Sequence, residues 1–366
     1  MKILAELQAS ADPSQTHWPS IPSKLTQSPT PYIPLSIFNV IFIRLDTQAS
    51  SISPPRDRQL LSPTLDFGLS GYSQDIPPCF STLEQAGNSL YSIKTSSFRT
   101  AQGLTLFMNN NEGWAAGNRE TRGIEAFKVY ATLELIRQEA RASMAQWNTA
   151  FDAYIEKNKN KGIWGEVAEE GIEMLRLHAQ LQISNFEFDL VKGMVDQTVW
   201  DEFLPSFVRL VDDAEKIVHK NMAKERSRPT ACAHNGGKKS KIFGLEAGII
   251  FPVYFVAVKC RDYHTRRRAI ALLRAQERQE GVWNSILTAR VAERLVEIEE
   301  IGLSPSDERG YLTMEEIPRE NRVAGVEVRF ELQEKRAWLR YQRIRQIDSE
   351  KTETGMRQLQ GVVVED

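Results

Sequence analysis

Cysteine and histidine, the side chains most used for metal binding and nucleophilic catalysis, are sparse in this sequence. The 366 residues include three Cys and five His, and no two His stand at a metal-ligand spacing on one predicted helix. The nearest approach to a metal site is Cys232-Ala-His234, but zinc needs further ligands and no second Cys/His pair is nearby. We interpret this pair as incidental and predict no metal site.

Sequence motifs for catalysis or nucleotide binding are also absent. The chain has no P-loop, dinucleotide glycine fingerprint, His-Glu-x-x-His helix or Gly-x-Ser-x-Gly elbow. Cys260 follows an apolar run and is interpreted as a buried structural thiol, with a nucleophile beside Arg261 and His264 as the alternative. The sequence therefore predicts no catalytic, cofactor-binding or metal residues and no cofactor in this chain.

A run of arginines in the second half of the chain could form a phosphate-binding face. The favoured interpretation is a solvated helix face that pairs with acids in the next two helices. The arginines are Arg261, Arg266, Arg267, Arg268 and Arg274, and the acids are Glu280, Glu293, Glu297, Glu299 and Glu300.

The overall composition fits a soluble globular protein with a core, because 41% of the residues are hydrophobic and 26% are charged. A net charge of -2 provides no global attraction to nucleic acid or to an anionic membrane. The apolar run 247–258 contains Pro252 and is shorter than the roughly 18–20 residues that span a bilayer. We predict no membrane segment. A nuclear import receptor could read the short basic cluster Lys238-Lys239-Ser240-Lys241.

The elements that must position these residues are mainly helical. Residues 1–80 are rich in Ser and Pro and are predicted to be mostly disordered. Residues 81–347 are predicted to form a multi-helical body, a bundle or solenoid-like stack, and 348–366 a polar, frayed tail. Apolar residues spaced by three or four predict helices over about 124–155, 165–191 and 197–226, and three more between 244 and 302.

The apolar spacing changes from helical to strand-like near the C-terminus. Apolar and polar residues alternate on both sides of a short turn at 333–335, which predicts a β-hairpin over 322–345. In the preceding helix one apolar stripe is predicted to face the core. It consists of Leu287, Val291, Leu295 and Ile298.

The segment 244–302 resembles the C-terminal part of fungal transcription regulators of the zinc-binuclear-cluster (Zn2Cys6, C6 zinc-finger) class. The similar features are an apolar run ending in Cys260-Arg261, an Arg-Arg-Arg-Ala helix start at 266–269, and an Arg-x-Glu-Gly-x-Trp-x-Ser turn at 278–285. The strongest resemblance covers about 241–345, and a weaker one begins near Pro77.

The resemblance implies a nuclear, all-helical regulatory domain that acts through protein partners or self-association. Many members of this family sit in fungal gene clusters for secondary metabolites. Members carry zinc in an N-terminal six-cysteine cluster that reads CGG half-sites, and residues 1–78 contain no cysteine. We therefore expect the DNA-binding cluster to be missing from this chain, through a truncated gene model or as a stand-alone regulatory body. Direct specific DNA binding is not expected. The alternative function is a helical enzyme of unrecognised class.

Overall fold

The computed structural model describes residues 76–94, 119–159, 166–187, 196–227, 242–244, 248–331, 336–344 and 352–358. Within these ranges the protein is mainly α-helical, and this prediction is confirmed. The Ser/Pro-rich segment up to residue 75, the Cys232-Ala-His234 pair and the lysine cluster at 238–241 lie outside the described residues.

The helices follow the predicted apolar periodicity closely. Helix α1 covers residues 83–94, and a short 3-10 helix, Gln197–Phe203, leads into α4. The remaining helices are α2 (Arg119–Lys159), α3 (Glu166–Glu187), α4 (Leu204–Ser227), α5 (Ile250–Lys259), α6 (Tyr263–Ala275) and α7 (Ser285–Glu300). Among the described helices, none is both long enough and apolar enough to cross a lipid bilayer.

A small three-stranded sheet fastens the segment before α5 to the turn before α7. Strand β1 (Ile242–Gly244) pairs in parallel with β2 (Arg278–Glu280), and β2 pairs antiparallel with β3 (Trp283–Asn284). The Arg-x-Glu-Gly-x-Trp-x-Ser turn at 278–285 therefore forms a tight β2–β3 hairpin.

The predicted C-terminal hairpin is also confirmed. Strands β4 (Val323–Glu331) and β5 (Arg336–Ile344) are antiparallel, with Val326 opposite Tyr341 and Val328 opposite Leu339. A third strand, β6 (Thr352–Gln358), pairs antiparallel with β5 and gives the sheet order β4-β5-β6. The prediction of a polar, frayed tail did not include this strand.

Three apolar clusters form the core of the described part of the chain. The first joins α1, α2 and α3 around Trp147, whose ring stacks on Phe151 at 4.6 Å. The central cluster joins α3 to α7 and includes Trp200 and Phe207. The third cluster lies between α7 and the C-terminal sheet.

Helix α7 is shared between two of these clusters. Ala289, Ala292 and Val296 face the central cluster. The predicted stripe of Leu287, Val291, Leu295 and Ile298 faces the C-terminal sheet, with Leu287 only partly buried. The predicted core face of α7 is thus confirmed, and the sheet is the element that covers it.

Candidate functional site: the buried arginine–glutamate network

Two arginines of the basic run are buried rather than solvated. The guanidinium of Arg261 donates to Oε1 of Glu299 at 2.8 Å, and that of Arg266 donates to Oε2 at 2.7 Å. All three side chains are at most 1% exposed. The pairing of arginines with acids was predicted correctly, but the prediction of a solvated face is wrong at these two positions.

The local sequence explains how both guanidinium groups reach one carboxylate. Asp262 is the N-cap of α6 and accepts from the backbone N–H of Thr265 at 2.8 Å, so Arg261 lies immediately before the cap of α6. Arg266 lies on the same stripe as Ala269 and Ile270, three and four residues later, and therefore faces inward. Its Nε donates to the carbonyl of Ala257 in α5 at 2.9 Å.

Glu299 also fastens the C-terminal sheet to the helical body. Its Oε1 accepts from the backbone N–H of Val323, the first residue of β4, at 2.7 Å. Arg261 donates to the carbonyl of the same residue at 3.2 Å, and Asn321 donates to the backbone carbonyl of Glu299 at 3.2 Å. One buried carboxylate therefore links α6, α7 and β4.

The charge of Glu299 is maintained by its partners. Burial by itself would raise the pKa of this carboxyl, but Arg261 and Arg266 outweigh burial and lower the pKa to about 2. The group is consequently ionised at neutral pH, as two adjacent buried cations require.

Arg322 forms a second link between the sheet and the helices. Its side chain is 2% exposed and binds both carboxylate oxygens of Asp201, in the 3-10 helix, at 2.7 and 2.8 Å. It also donates to the backbone carbonyls of Ile317 at 3.1 Å and Met314 at 2.6 Å. Nη1 of Arg322 binds both oxygens of Asp201, and its other two nitrogens donate to backbone carbonyls, so the guanidinium fixes the approach of β4 through all three nitrogens.

Lys259 lies between these two links. Its ammonium donates to Oε1 of Gln197 at 3.0 Å and to the carbonyl of Ala324 at 3.1 Å, and it lies 5.6 Å from the ring centre of Trp200. Burial and the neighbouring Arg261 lower the pKa of Lys259 to about 7, and Glu299 opposes this effect. The lysine thus combines a structural contact with a titration near neutrality.

Replacing Lys259 with Met should make the free energy of unfolding less dependent on pH between about 7 and 10.5. In the native protein the pKa of Lys259 is about 7, against 10.5 for an unperturbed lysine, so the unfolded chain binds more protons between these values. The wild-type chain should therefore gain stability relative to Lys259→Met as pH rises from 7 towards 10.5. Urea unfolding of both chains across this range measures the difference.

The control for Lys259 is an exposed lysine on α4, Lys216. Hydrogen bonding to Asp213 raises the pKa of Lys216 above 10.5, so this lysine stays largely protonated in both the folded and the unfolded chain between pH 7 and 10.5. The contribution of Lys216 to the free energy of unfolding should therefore stay constant over this range. Parallel stability curves for the wild-type chain and Lys259→Met would contradict the assignment.

The other three arginines of the run are engaged on the surface. Arg267 pairs with Glu300 at 3.2 Å, and Arg274 pairs with Glu293 at 2.5 Å. Arg268 is held by Asp212 and Glu215 of α4 at 2.6 and 2.7 Å. Glu297 pairs instead with Arg294. Each arginine of the run is bound by a carboxylate, and this arrangement opposes the alternative of a phosphate-binding face.

The fifth predicted acid, Glu280, acts as a cap for a distant helix. Its carboxylate accepts from the backbone N–H groups of Gly248 at 2.9 Å, Ile249 at 3.2 Å and Ile250 at 2.9 Å, at the start of α5. Burial raises the pKa of Glu280, while these N–H groups and Arg278, 3.5 Å away, oppose the rise. The turn at 278–285 thereby supplies the acceptors that the first turn of α5 lacks.

Other residues of the Arg-x-Glu-Gly-x-Trp-x-Ser motif at 278–285 shape the same turn. Gly281 has a φ of 56°, a left-handed conformation that favours glycine. The ring of Trp283 lies 5.3 Å from that of Phe251. The Ser285 hydroxyl accepts from the backbone N–H of Arg278 and donates to the carbonyl of Gln276, both at 3.0 Å. The residues at 278–285 that resemble the transcription-regulator family therefore have structural roles, because they fold the turn and cap α5.

Gly248→Ala should destabilise the protein through this cap. A Cβ at position 248 would lie 2.4 Å from Oε1 of Glu280. The carboxylate of Glu280 accepts from three backbone N–H groups and has little freedom to move. We expect a loss of about 1–3 kcal/mol, typical of overpacking, measured by urea unfolding. Gly87→Ala in α1 is the matched control, because its Cβ meets only Leu175 at 3.6 Å. An equal effect of both substitutions would contradict the cap.

The two residues considered for nucleophilic chemistry do not form an activated pair. Cys260 is 3% exposed, and burial raises the pKa of its thiol to about 12, so the thiolate is disfavoured at neutral pH. His264 is exposed and contacts the rings of Tyr263 and Tyr311 at 5.2 and 5.0 Å. The structure thus places Cys260 in the core, as the structural interpretation predicted.

No His, Cys, Asp and Glu side chains of the described ranges come together in a group of three or more that could hold a metal ion. The network of Arg261, Arg266 and Glu299 has a structural role, because it positions α6, α7 and β4 relative to one another. It holds β4 on the helices through ion pairs and backbone hydrogen bonds.

Comparison with known proteins identifies a class of protein that part of this chain resembles, the cluster-specific transcription regulators. The similar stretch covers 83 residues at 41% identity, which is 22% of this chain and 13% of the relative. The relative is the aspercryptin biosynthesis cluster-specific transcription regulator atnN of Emericella nidulans. The match thus covers only a small part of the length of this relative. No family model and no solved structure matches the chain.

Proposed function

We propose that this chain regulates transcription of a fungal biosynthetic gene cluster and works in the nucleus. The observation that carries the proposal is the 41% identity over 83 residues to a cluster-specific transcription regulator. The segment 244–302 supports the same class, because the order and spacing of its residues resemble the regulatory region of the C6 family. In this proposal the chain is a regulatory body and does not act as an enzyme.

We further propose that the body acts through protein contacts or self-association and does not read DNA directly. Sequence-specific reading needs side chains held against base edges, and phosphate attraction needs available cations. The arginines of the basic run are bound by carboxylates of the same chain, two of them in the interior. Because these arginines are engaged within the chain, they are less available to DNA phosphates, which supports action without direct DNA reading.

A tethering experiment tests the regulatory function. The chain is fused to an unrelated DNA-binding domain and directed to a reporter promoter in a filamentous fungus. We expect reporter expression to rise or fall relative to the DNA-binding domain alone, because the regulatory body no longer needs its own DNA contact. Glu299→Gln in the same fusion is expected to lose the effect through unfolding. A folded, nuclear fusion that leaves the reporter unchanged would contradict the proposal.

Binding to duplex DNA should be weak and without preference for CGG sites. Fluorescence anisotropy with CGG-repeat and scrambled duplexes at low and moderate salt measures this directly. Any residual binding should fall steeply with salt, since only phosphate contacts would support it. Tight, salt-resistant and CGG-selective binding would place a DNA-reading site in this chain and would refute the proposal of indirect action.

A further inference from the structure

The segment after α7 presents a serine–proline pair at the surface. Helix α7 ends at Glu300, and Gly302 follows with a φ of 73°, a left-handed conformation that terminates helices. Ser304 is exposed, and so are residues 306–310. Of the Ser-Pro and Thr-Pro pairs in the chain, Ser304-Pro305 is the one that falls within the described residues.

The segment is fixed on both sides of this pair. On one side the backbone N–H of Leu303 donates to the carbonyl of Glu300 at 3.1 Å. On the other side the carboxylate of Glu316 accepts from the backbone N–H of Ser306 at 2.9 Å, and Leu312, four residues before Glu316, is 6% exposed. Ser304 and Pro305 therefore lie in a short surface loop between two anchors.

This loop can open without disturbing the core. Residues 303–305 belong to neither helix nor strand. Its contacts include the Ser306–Glu316 hydrogen bond and the Arg309–Asp307 pair, both of which are exposed. An exposed ion pair contributes little to stability. Within the described part of the chain the Ser304 side chain has no hydrogen bond or ion pair that would hold it back. Loops of this kind open locally at low cost and can enter an enzyme cleft.

We propose that Ser304 is a phosphorylation site for a protein kinase that requires proline directly after the acceptor residue. The Ser304 Oγ attacks the γ-phosphorus of ATP, a new O–P bond forms, and the bond to the β–γ bridging oxygen breaks. ADP leaves, and the hydroxyl proton passes to the catalytic carboxylate of the kinase. This modification goes beyond the proposed regulatory function and does not depend on it.

The phosphate would change the electrostatics of the loop. It adds a charge of about -1.5 to -2 just beyond the negative end of the α7 dipole and beside Asp307 and Glu308. The cation of this loop is Arg309, which binds Asp307 at 2.6 Å and lies 5.9 Å from the ring centre of Tyr311. A phosphate on Ser304 competes for Arg309, so the contacts of Arg309 should loosen while the core stays unchanged.

Phosphorylation of the purified full chain by a proline-directed kinase with ATP tests the proposal, with phosphopeptide mapping by mass spectrometry. We expect phosphate on Ser304, its loss from that peptide in Ser304→Ala and in Pro305→Ala, and no phosphate on Ser306, an exposed serine without a following proline. A synthetic peptide covering residues 300–312, together with a standard kinase substrate, shows whether the kinase recognises the sequence. Hydrogen–deuterium exchange should then rise in 303–311 and stay unchanged in α7.

Each result decides the proposal. If the folded chain stays unmodified at Ser304 while the peptide is phosphorylated, the loop does not open as inferred and the site is refuted. If neither the peptide nor the chain is modified while the standard substrate is, the sequence is not recognised and the site is equally refuted. The other Ser-Pro and Thr-Pro acceptors, at Ser28, Thr30, Ser53 and Ser62, give separate peptides and cannot be confused with it.

Discussion

Glu299→Gln should unfold the protein or leave it barely stable. The variant keeps the shape of the side chain but removes the charge that faces Arg261 and Arg266, which bind it at 2.8 and 2.7 Å in the interior. Breaking a buried ion pair from one side leaves an uncompensated buried charge and costs about 3–5 kcal/mol. Urea unfolding followed by far-UV circular dichroism measures the loss.

The neighbouring residue provides the control. Glu300→Gln removes the same charge from a pair with Arg267 whose side chains are 35% and 23% exposed, and such a pair contributes at most about 1 kcal/mol. Similar losses for the two variants would refute the special role of the buried network.

Lowering the pH should reduce the free energy of unfolding of the wild-type protein, because the Glu299 carboxylate becomes protonated. The pKa of Glu299 is about 2 in the native protein against 4.5 for the unperturbed carboxyl, so its contribution is complete above about 4.5 and is lost as pH falls towards 2. Glu299→Gln lacks this titration. The stability difference between the two chains should therefore shrink over that acidic range.

Leu295→Ala should also destabilise the protein strongly. Leu295 is 2% exposed and belongs to the cluster between α7 and the C-terminal sheet, which also includes Leu339. Truncating a buried leucine costs about 2–5 kcal/mol, through the lost apolar contact and the cavity that remains. Thermal and urea unfolding measure the change.

Ile301→Ala is the matched control for this substitution. Ile301 follows α7 directly and is 60% exposed, so its truncation should change stability by less than about 0.5 kcal/mol. A loss below about 0.5 kcal/mol for Leu295→Ala as well would show that this face of α7 is not packed in solution. The face would then be available for a partner or a second copy of the chain.

The sequence was sufficient for the helices and for the hairpin, because their apolar residues repeat with the period of each element. It also predicted that the arginines pair with acids. It did not predict that Arg261 and Arg266 are buried. A signal was present at Arg266, which is spaced three, four and seven residues from the core residues Ala269, Ile270 and Leu273. We interpreted the charge as a mark of solvent exposure.

Two other features depend on contacts between distant parts of the chain. Glu280 caps a helix that begins 30 residues earlier, and the distance along the chain hides the relation. Strand β6, Thr352–Gln358, lacks a regular alternation of apolar and polar residues, and it forms by backbone pairing with β5. By contrast, Asn284 caps α7 by accepting from the N–H of Leu287 at 2.9 Å, and an asparagine before an apolar helical stripe is a recognisable signal.

The link between Arg322 and Asp201 joins residues 121 positions apart, and this distance has a consequence for synthesis on the ribosome. Helices α4 to α7 leave the ribosome before β4. The hydrogen bonds that Glu299 and Arg261 make with the backbone of Val323 can therefore form only after β4 has been synthesised. Until then the apolar face of α7 has no cover. A nascent or recombinant fragment that stops before β5 should therefore be a substrate for chaperones, and the smallest fragment that folds alone should extend past residue 344.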